Sequence, residues 1–218
     1  MSKRFFYILK GYIVLQCVWM ISIYGQTRPL SSEDAIQRLL QGNERYVKDE
    51  LEYPNQSMIR REAVINTQKP FAVIVGCSDS RVPPEIIFDQ GLGDLFIIRV
   101  AGNVIGPIEL DSIEYAALCL EASVVLVLGH ESCGAVSAVV NNQAQVIPSI
   151  AKLIKPAVEI AKRDKGDLLE NAIKENVELV VNHLKKRKNI RDLIKKNKMK
   201  VIGGYYDLNT GKVNILGI

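Results

Sequence analysis

Two short apolar runs constrain this chain most. Phe71-Ala72-Val73-Ile74-Val75-Gly76 leads into Cys77-Ser78-Asp79-Ser80-Arg81, and Val124-Val125-Leu126-Val127-Leu128-Gly129 leads into His130-Glu131-Ser132-Cys133. Unbroken runs of this length, rich in Val and Ile, are the pattern of strands buried on both faces, as in a parallel sheet. Both reactive clusters then fall just past the carboxyl ends of core strands, where open α/β sheets gather ligands.

The rest of the chain supplies the helices such a sheet needs. Ser31-Ser32-Glu33-Asp34 opens a helix with capping residues followed by acids, and Ala35, Ile36, Leu39, Leu40 and Tyr46 form its apolar face through Val47. Further helices are expected over 57–67, 83–88, 107–121 and Gly134–Val140, and a charged helical stretch over 148–196, broken near Pro156 and Gly166. Strands over 95–100, 199–202 and Val213–Leu216 complete the set, the last joined by the turn Leu208-Asn209-Thr210-Gly211. Alternating strands and helices predict one α/β domain: four parallel strands plus an antiparallel edge strand, covered by helices.

The first 25 residues stand apart. A basic start, Met1-Ser2-Lys3-Arg4, precedes an uncharged, mostly apolar run of 14 residues from Gly11 to Tyr24, and small residues come just before Gln26. This is the form of a cleaved signal peptide, and the run is shorter than the ~20 residues a spanning helix needs. The chain is therefore expected to be exported, periplasmic or secreted, with the domain over 26–218 and no stable membrane association after cleavage. The formal charge of +4 includes Lys3, Arg4 and Lys10 of that segment; without them 25 basic residues face 24 acidic ones. So even a balance gives no support to nucleic-acid binding. Three cysteines remain beyond residue 25, an odd number that argues against a disulfide framework.

Two cysteines and a histidine at strand ends offer a Cys₂His ligand set. Such a set leaves a tetrahedral zinc ion one position for water or substrate, as catalytic zinc needs. The bland alternative is two core thiols and a satisfied histidine. Arg81 can hold Asp79 in a fixed two-point geometry, keeping it ionised and able to accept a hydrogen bond from a metal-bound hydroxide. Of the remaining candidates, Cys119 reads as a buried small hydrophobe, His183 as solvated, and Arg99 as a structural residue pairing a buried acid.

At this point the chain resembles the β-class carbonic anhydrases, in their bacterial, plant-like subgroup. The resemblance runs from about Ser31 to the C-terminus and rests on several segments. These are Leu39-Leu40-Gln41-Gly42-Asn43-Glu44-Arg45-Tyr46, Cys77-Ser78-Asp79-Ser80-Arg81, Gly93-Asp94-Leu95-Phe96, Ala101-Gly102-Asn103, Ile113-Glu114-Tyr115, Gly129-His130 with Cys133-Gly134, and Gly203-Gly204-Tyr205-Tyr206-Asp207. It implies one zinc per chain on Cys77, His130 and Cys133, with Asp79 and Arg81 as the catalytic pair. It also implies that Gln68, Phe96, Tyr115 and the Gly134 N–H form the substrate pocket. Val100 and Ala101 depart from residues many members carry, which bears on pocket shape and not on the metal.

The activity so implied is reversible hydration of carbon dioxide to bicarbonate and a proton, by attack of zinc-bound hydroxide on CO₂. A CS₂ or COS hydrolase on the same scaffold and a non-catalytic bicarbonate-binding zinc protein are the alternatives. The family resemblance further implies a homodimer or homotetramer, with a projecting N-terminal helix that embraces the partner; the apolar stripe of Ser31–Val47 suits that role and could also pack on its own chain.

Overall fold

The computed structural model describes residues 30–217; the expected signal peptide lies outside the described residues. Among them are five strands in one sheet and eight α-helices. The order along the chain is α1 (Ser32–Val47), α2 (Met58–Ala63), β1 (Ala72–Gly76), α3 (Pro84–Ile87), β2 (Leu95–Arg99), a 3₁₀ turn (Ala101–Asn103) and α4 (Pro107–Leu118). Then come β3 (Val124–His130), α5 (Gly134–Val140), α6 (Pro148–Ala161), α7 (Leu168–Lys186), α8 (Lys188–Lys195), β4 (Lys200–Tyr206) and β5 (Val213–Leu216). The sheet order is β2-β1-β3-β4-β5; the first three pairings are parallel and β4–β5 is antiparallel.

Side chains alternate across the strands, so the two sheet faces carry separate cores. Ala72, Ile74, Val124, Leu126 and Leu128 pack with Ala35 and Leu39 of α1, Ile87 of α3, Val136 of α5 and Ile154 of α6. Val73, Val75, Val125, Val127 and Val201 pack with Ile113 of α4, Val177 and Leu184 of α7, and Ile190 of α8. β1 and β3 are buried along their whole length, as their unbroken apolar runs require.

The helix α1 does not project. Ser31 caps it by accepting from the Asp34 N–H, and Ala35 and Leu39 are buried in this chain's own core. Asn43 is 3% exposed; its Nδ2 donates to the carbonyls of Ile87 and Gly211, and its Oδ1 accepts from the Val213 N–H. At Gly42 a Cβ would lie 1.8 Å from the Phe88 carbonyl oxygen, so only glycine permits this approach.

Other boundaries also differ from expectation. α2 is shorter than 57–67, and α4 ends at Leu118. Cys119 follows as its C-cap and is exposed, not buried. Pro156 does not break α6. The residue four earlier, Lys152, is exposed, so water can take the place of the missing N–H at its carbonyl. β4 runs on through Gly203 and Gly204, where α7 comes close: a Cβ on Gly203 would lie 2.7 Å from Val177 Cγ1, and one on Gly129 2.6 Å from its Cγ2. β3 extends to His130 because β4 pairs with it as far as Tyr206.

Candidate metal centre

Strand β1 delivers Cys77 immediately after Gly76. Strand β3 carries His130 as its own last residue, one step nearer the sheet than expected. After His130 the chain turns at Ser132, which sits in the left-handed region at φ 53°, and Cys133 becomes the N-cap of α5. Two neighbouring strand ends thus bring three side chains to one place. Cys77, His130 and Cys133 are 4%, 1% and 1% exposed, and their ligand atoms all lie within 4.8 Å of one another.

The geometry suits a metal. The two sulfurs are 4.0 Å apart. Two thiolates each ~2.3 Å from one tetrahedral ion would be about 3.8 Å apart. His130 Nδ1 lies 2.9 Å from the Glu131 carbonyl oxygen. A carbonyl can only accept, so in the neutral ring Nδ1 carries the proton and Nε2 keeps its lone pair. Nε2 is buried and has no hydrogen-bond partner. A lone pair buried without a partner is costly, and a ligated ion removes that cost.

Of the two sulfurs, that of Cys77 is prepared as a thiolate donor. Cys77 Sγ accepts from the Gly102 N–H at 3.2 Å and the Asp79 N–H at 3.4 Å. The Cys77 thiol is held well below the usual thiol range, first by its hydrogen bond with Cys133 and then by His130 and these two N–H groups, against the opposing effect of burial. The same sulfur–sulfur bond pushes Cys133 up, and burial adds to it.

Beside the group stand Asp79 and Arg81. Arg81 Nε donates to Asp79 Oδ1 at 3.0 Å and Nη2 to Oδ2 at 2.8 Å, while the Arg81 backbone N–H also reaches Oδ1 at 2.9 Å. The Arg81 side chain is the main reason the Asp79 carboxyl lies well below the usual carboxylate range, so it is ionised at neutral pH. Asp79 Oδ2 is 3.9 Å from His130 Nε2, so the carboxylate borders the space the three ligands enclose.

Arg99 has a role other than the one expected. Its Nε donates to the Cys77 carbonyl at 2.8 Å and its Nη2 to the Asp79 carbonyl. The buried acids already have partners: Asp89 pairs with Arg45, and Asp94 with Arg38 and Asn55. Arg99 instead fixes the backbone of the loop that carries both Cys77 and Asp79. His183 is exposed, as expected.

Gly134 is the first residue of α5, with open space where a Cβ would be. The other proposed pocket residues lie elsewhere. Gln68 and Tyr115 line a cavity of about 630 Å³ that includes none of the three ligands. The Phe96 ring is 6.4 Å from that of Tyr115. Phe96 pairs with Val73, four residues before Cys77, which is about 13 Å along a strand. Within one chain, then, these three side chains gather towards the far end of the sheet from the metal ligands.

The family model described as carbonic anhydrase matches residues 72–213. Carbonic anhydrase 2 of Mycobacterium tuberculosis is 37% identical over 193 residues, which is 85% of this chain and 92% of that protein. The carbonic anhydrase of Mycolicibacterium smegmatis is 35% identical over 188 residues, 83% of this chain and 91% of its own. The solved structure of the beta-carbonic anhydrase CcaA matches with a TM-score of 0.67 at 27% identity, over 84% of this chain and 95% of that one. Sequence and fold agree across the stretch that holds the buried ligands and the Asp79–Arg81 fork, and the chain belongs to the β-class carbonic anhydrases.

Proposed function

We propose that this enzyme interconverts carbon dioxide and bicarbonate using one zinc ion per chain, held by Cys77 Sγ, Cys133 Sγ and His130 Nε2. The observation that carries this reading is the buried, unpartnered Nε2 within 4.8 Å of both sulfurs. Zinc with three protein ligands supplies a Lewis acid that makes water a nucleophile near neutral pH.

The chain's own residues do the rest. Glu131 holds the proton on His130 Nδ1 and so keeps Nε2 a donor of electrons. Asp79, ionised and bordering the ligand group, accepts a hydrogen bond from the attacking oxygen and orients it. Arg81 holds both Asp79 oxygens, so the carboxylate must give up this ion pair to become a ligand itself. This favours a fourth position left to water across neutral pH. The Gly134 N–H, at the start of α5, is a donor for a negative oxygen on the product.

A second copy of the chain completes the site in this reading. Gln68, Phe96 and Tyr115 are too far along the sheet to meet substrate at their own chain's metal. Ile65 lines the same cavity as Gln68 and Tyr115 and is 71% exposed, and Ile59 and Ile108 are each 77% exposed. Apolar side chains left this open mark an interface, and a homodimer, alone or within a homotetramer, covers them while bringing one chain's Gln68 and Tyr115 to the other's metal. The signal-like segment before Gln26 supports export, and N-terminal sequencing from the native host tests it: an intact Met1 on soluble protein overturns it. Stopped-flow CO₂ hydration, run beside metal analysis and parallel assays with CS₂ and COS, tests the activity. Zinc-loaded protein without CO₂ turnover would overturn the reading.

A further inference from the structure

The helix α7 packs on the sheet through a stripe of Ala172, Ile173, Val177, Val180, Val181 and Leu184. One member of that stripe is polar. Asn176 is 1% exposed, and burying an amide among aliphatic side chains is unfavourable unless its hydrogen bonds are met. Its Nδ2 donates to the Gly102 carbonyl at 2.8 Å, across 74 residues of sequence. Gly102 is the residue whose N–H points at Cys77 Sγ, at 3.2 Å.

Gly102 is also conformationally exposed to loss. It holds φ 71° inside the 3₁₀ turn. A Cβ there would lie 2.8 Å from Ile154 Cδ1 and 3.3 Å from Ala135 Cβ, so no other residue fits. Glycine alone holds a turn loosely, because it reaches many other conformations at little cost. Something must select the one in which the N–H faces the sulfur, and the Asn176 amide is fixed to the carbonyl of that same residue.

We propose that Asn176 is a positioning residue for the metal-binding thiolate. By holding the Gly102 carbonyl it fixes the turn, and the turn aims the Gly102 N–H at Cys77 Sγ. A hydrogen bond to a thiolate draws electron density from the sulfur and so tunes how strongly it donates to a metal. This rests on the reading of Cys77 as a zinc ligand. It assigns to α7, far along the chain, a part in setting the electronic character of the site.

The experiment compares wild-type protein with Asn176→Leu and Asn176→Ala, loaded with cobalt(II) and separately with zinc. Loss of the N–H···S bond raises the energy of the sulfur lone pair, so the thiolate-to-cobalt absorption shifts to longer wavelength. Zinc affinity, read by chelator competition, falls about tenfold, because the loosened turn no longer holds Cys77 in place and this loss of positioning outweighs the stronger donation of a sulfur freed of its N–H. Val177→Ala, the next residue on α7, controls for packing loss and leaves the band in place. A folded Asn176→Leu or Asn176→Ala with an unmoved band and unchanged zinc affinity overturns the proposal. In wild-type protein itself, the Gly102 amide and the Asn176 side-chain amide both exchange slowly with solvent deuterium; fast exchange of either also overturns it, whether or not the variants fold. Failure of wild-type protein to bind cobalt or zinc would instead refute the metal reading, so the two failures are told apart.

Discussion

Arg81 grips Asp79 at both oxygens, with Nε 3.0 Å from Oδ1 and Nη2 2.8 Å from Oδ2, and Asp79 Oδ2 stands 3.9 Å from His130 Nε2. Only Ser80 separates the partners in sequence, so the fork is a property of one tight loop and not of distant packing. The loop is in turn pinned by Arg99 through the Cys77 and Asp79 carbonyls.

Asp79→Asn should therefore keep its metal and lose activity. The amide has no charge for Arg81 to hold and can present a donor where an acceptor is needed. A fall of about a hundredfold in CO₂ hydration is expected, the size of losing one oriented electrostatic partner. Metal analysis and stopped-flow rates on the same sample check it. Near-normal turnover at full zinc content would make the fork purely structural.

The proposed sharing of sites between two copies predicts complementation between two impaired variants. Cys133→Ser should lose most of its zinc, and Tyr115→Ala should keep zinc but turn over slowly. A mixed pair has one site with intact ligands from one chain and an intact Tyr115 from the other. Refolding the two together should restore activity above that of either alone. No recovery in a mixture shown to contain mixed pairs would place each site within one chain.

Stability should depend on pH through Asp89. Burial pushes this carboxyl up, but Arg45 and the N–H groups of Glu52 and Tyr53 outweigh it and hold the carboxyl below its usual value. A pKa lowered on folding contributes stability that is full above the unfolded value, about 3.9, and that is lost as pH falls through the folded value. Asp89→Asn should cost about 2 kcal/mol at pH 7, and the gap to wild type should narrow at pH 3. Urea unfolding of both proteins at the two pH values measures it; a constant gap would remove Asp89 from the acid response.

Val177 sits against glycines on two strands, so Gly203→Ala should destabilise by about 2 kcal/mol through overpacking. Val177→Ala removes the atom in the way, and the double variant should be more stable than the two single losses predict. Simple additivity would show that the strand and not the side chain yields.

Much of the site was legible because its residues are local to strand ends. Cys77, Asp79 and Arg81 span five positions, and His130 and Cys133 four, so each group follows directly from one apolar run. What was hidden depends on contacts across the chain. The role of Arg99 depends on which acids Arg45, Arg38 and Asn55 have already taken. Asn176 reads as one polar residue in an apolar stripe until the fold sets it on Gly102. Cys119 looked buried because its neighbours are apolar, yet α4 ends one residue earlier and turns it outward. The apolar stripe of α1 left its packing open between its own chain and a partner, and two of the three partners of Asn43, Gly211 and Val213, lie more than 160 residues away.

That last contact bears on how the protein is made. Asn43 receives its bond from Val213 across 170 residues. At ~5–20 residues per second a growing chain needs on the order of 10–30 s to span that gap. Until then α1 has no strand β5 to lean on, and of the three bonds of its buried amide only the one to the Ile87 carbonyl can form. The contact that ties α1 to the edge of the sheet therefore forms only once β5 has been made, and α1 is held less firmly until then. A chain stopped after Asp207 should show this weaker hold as protease cleavage within α1.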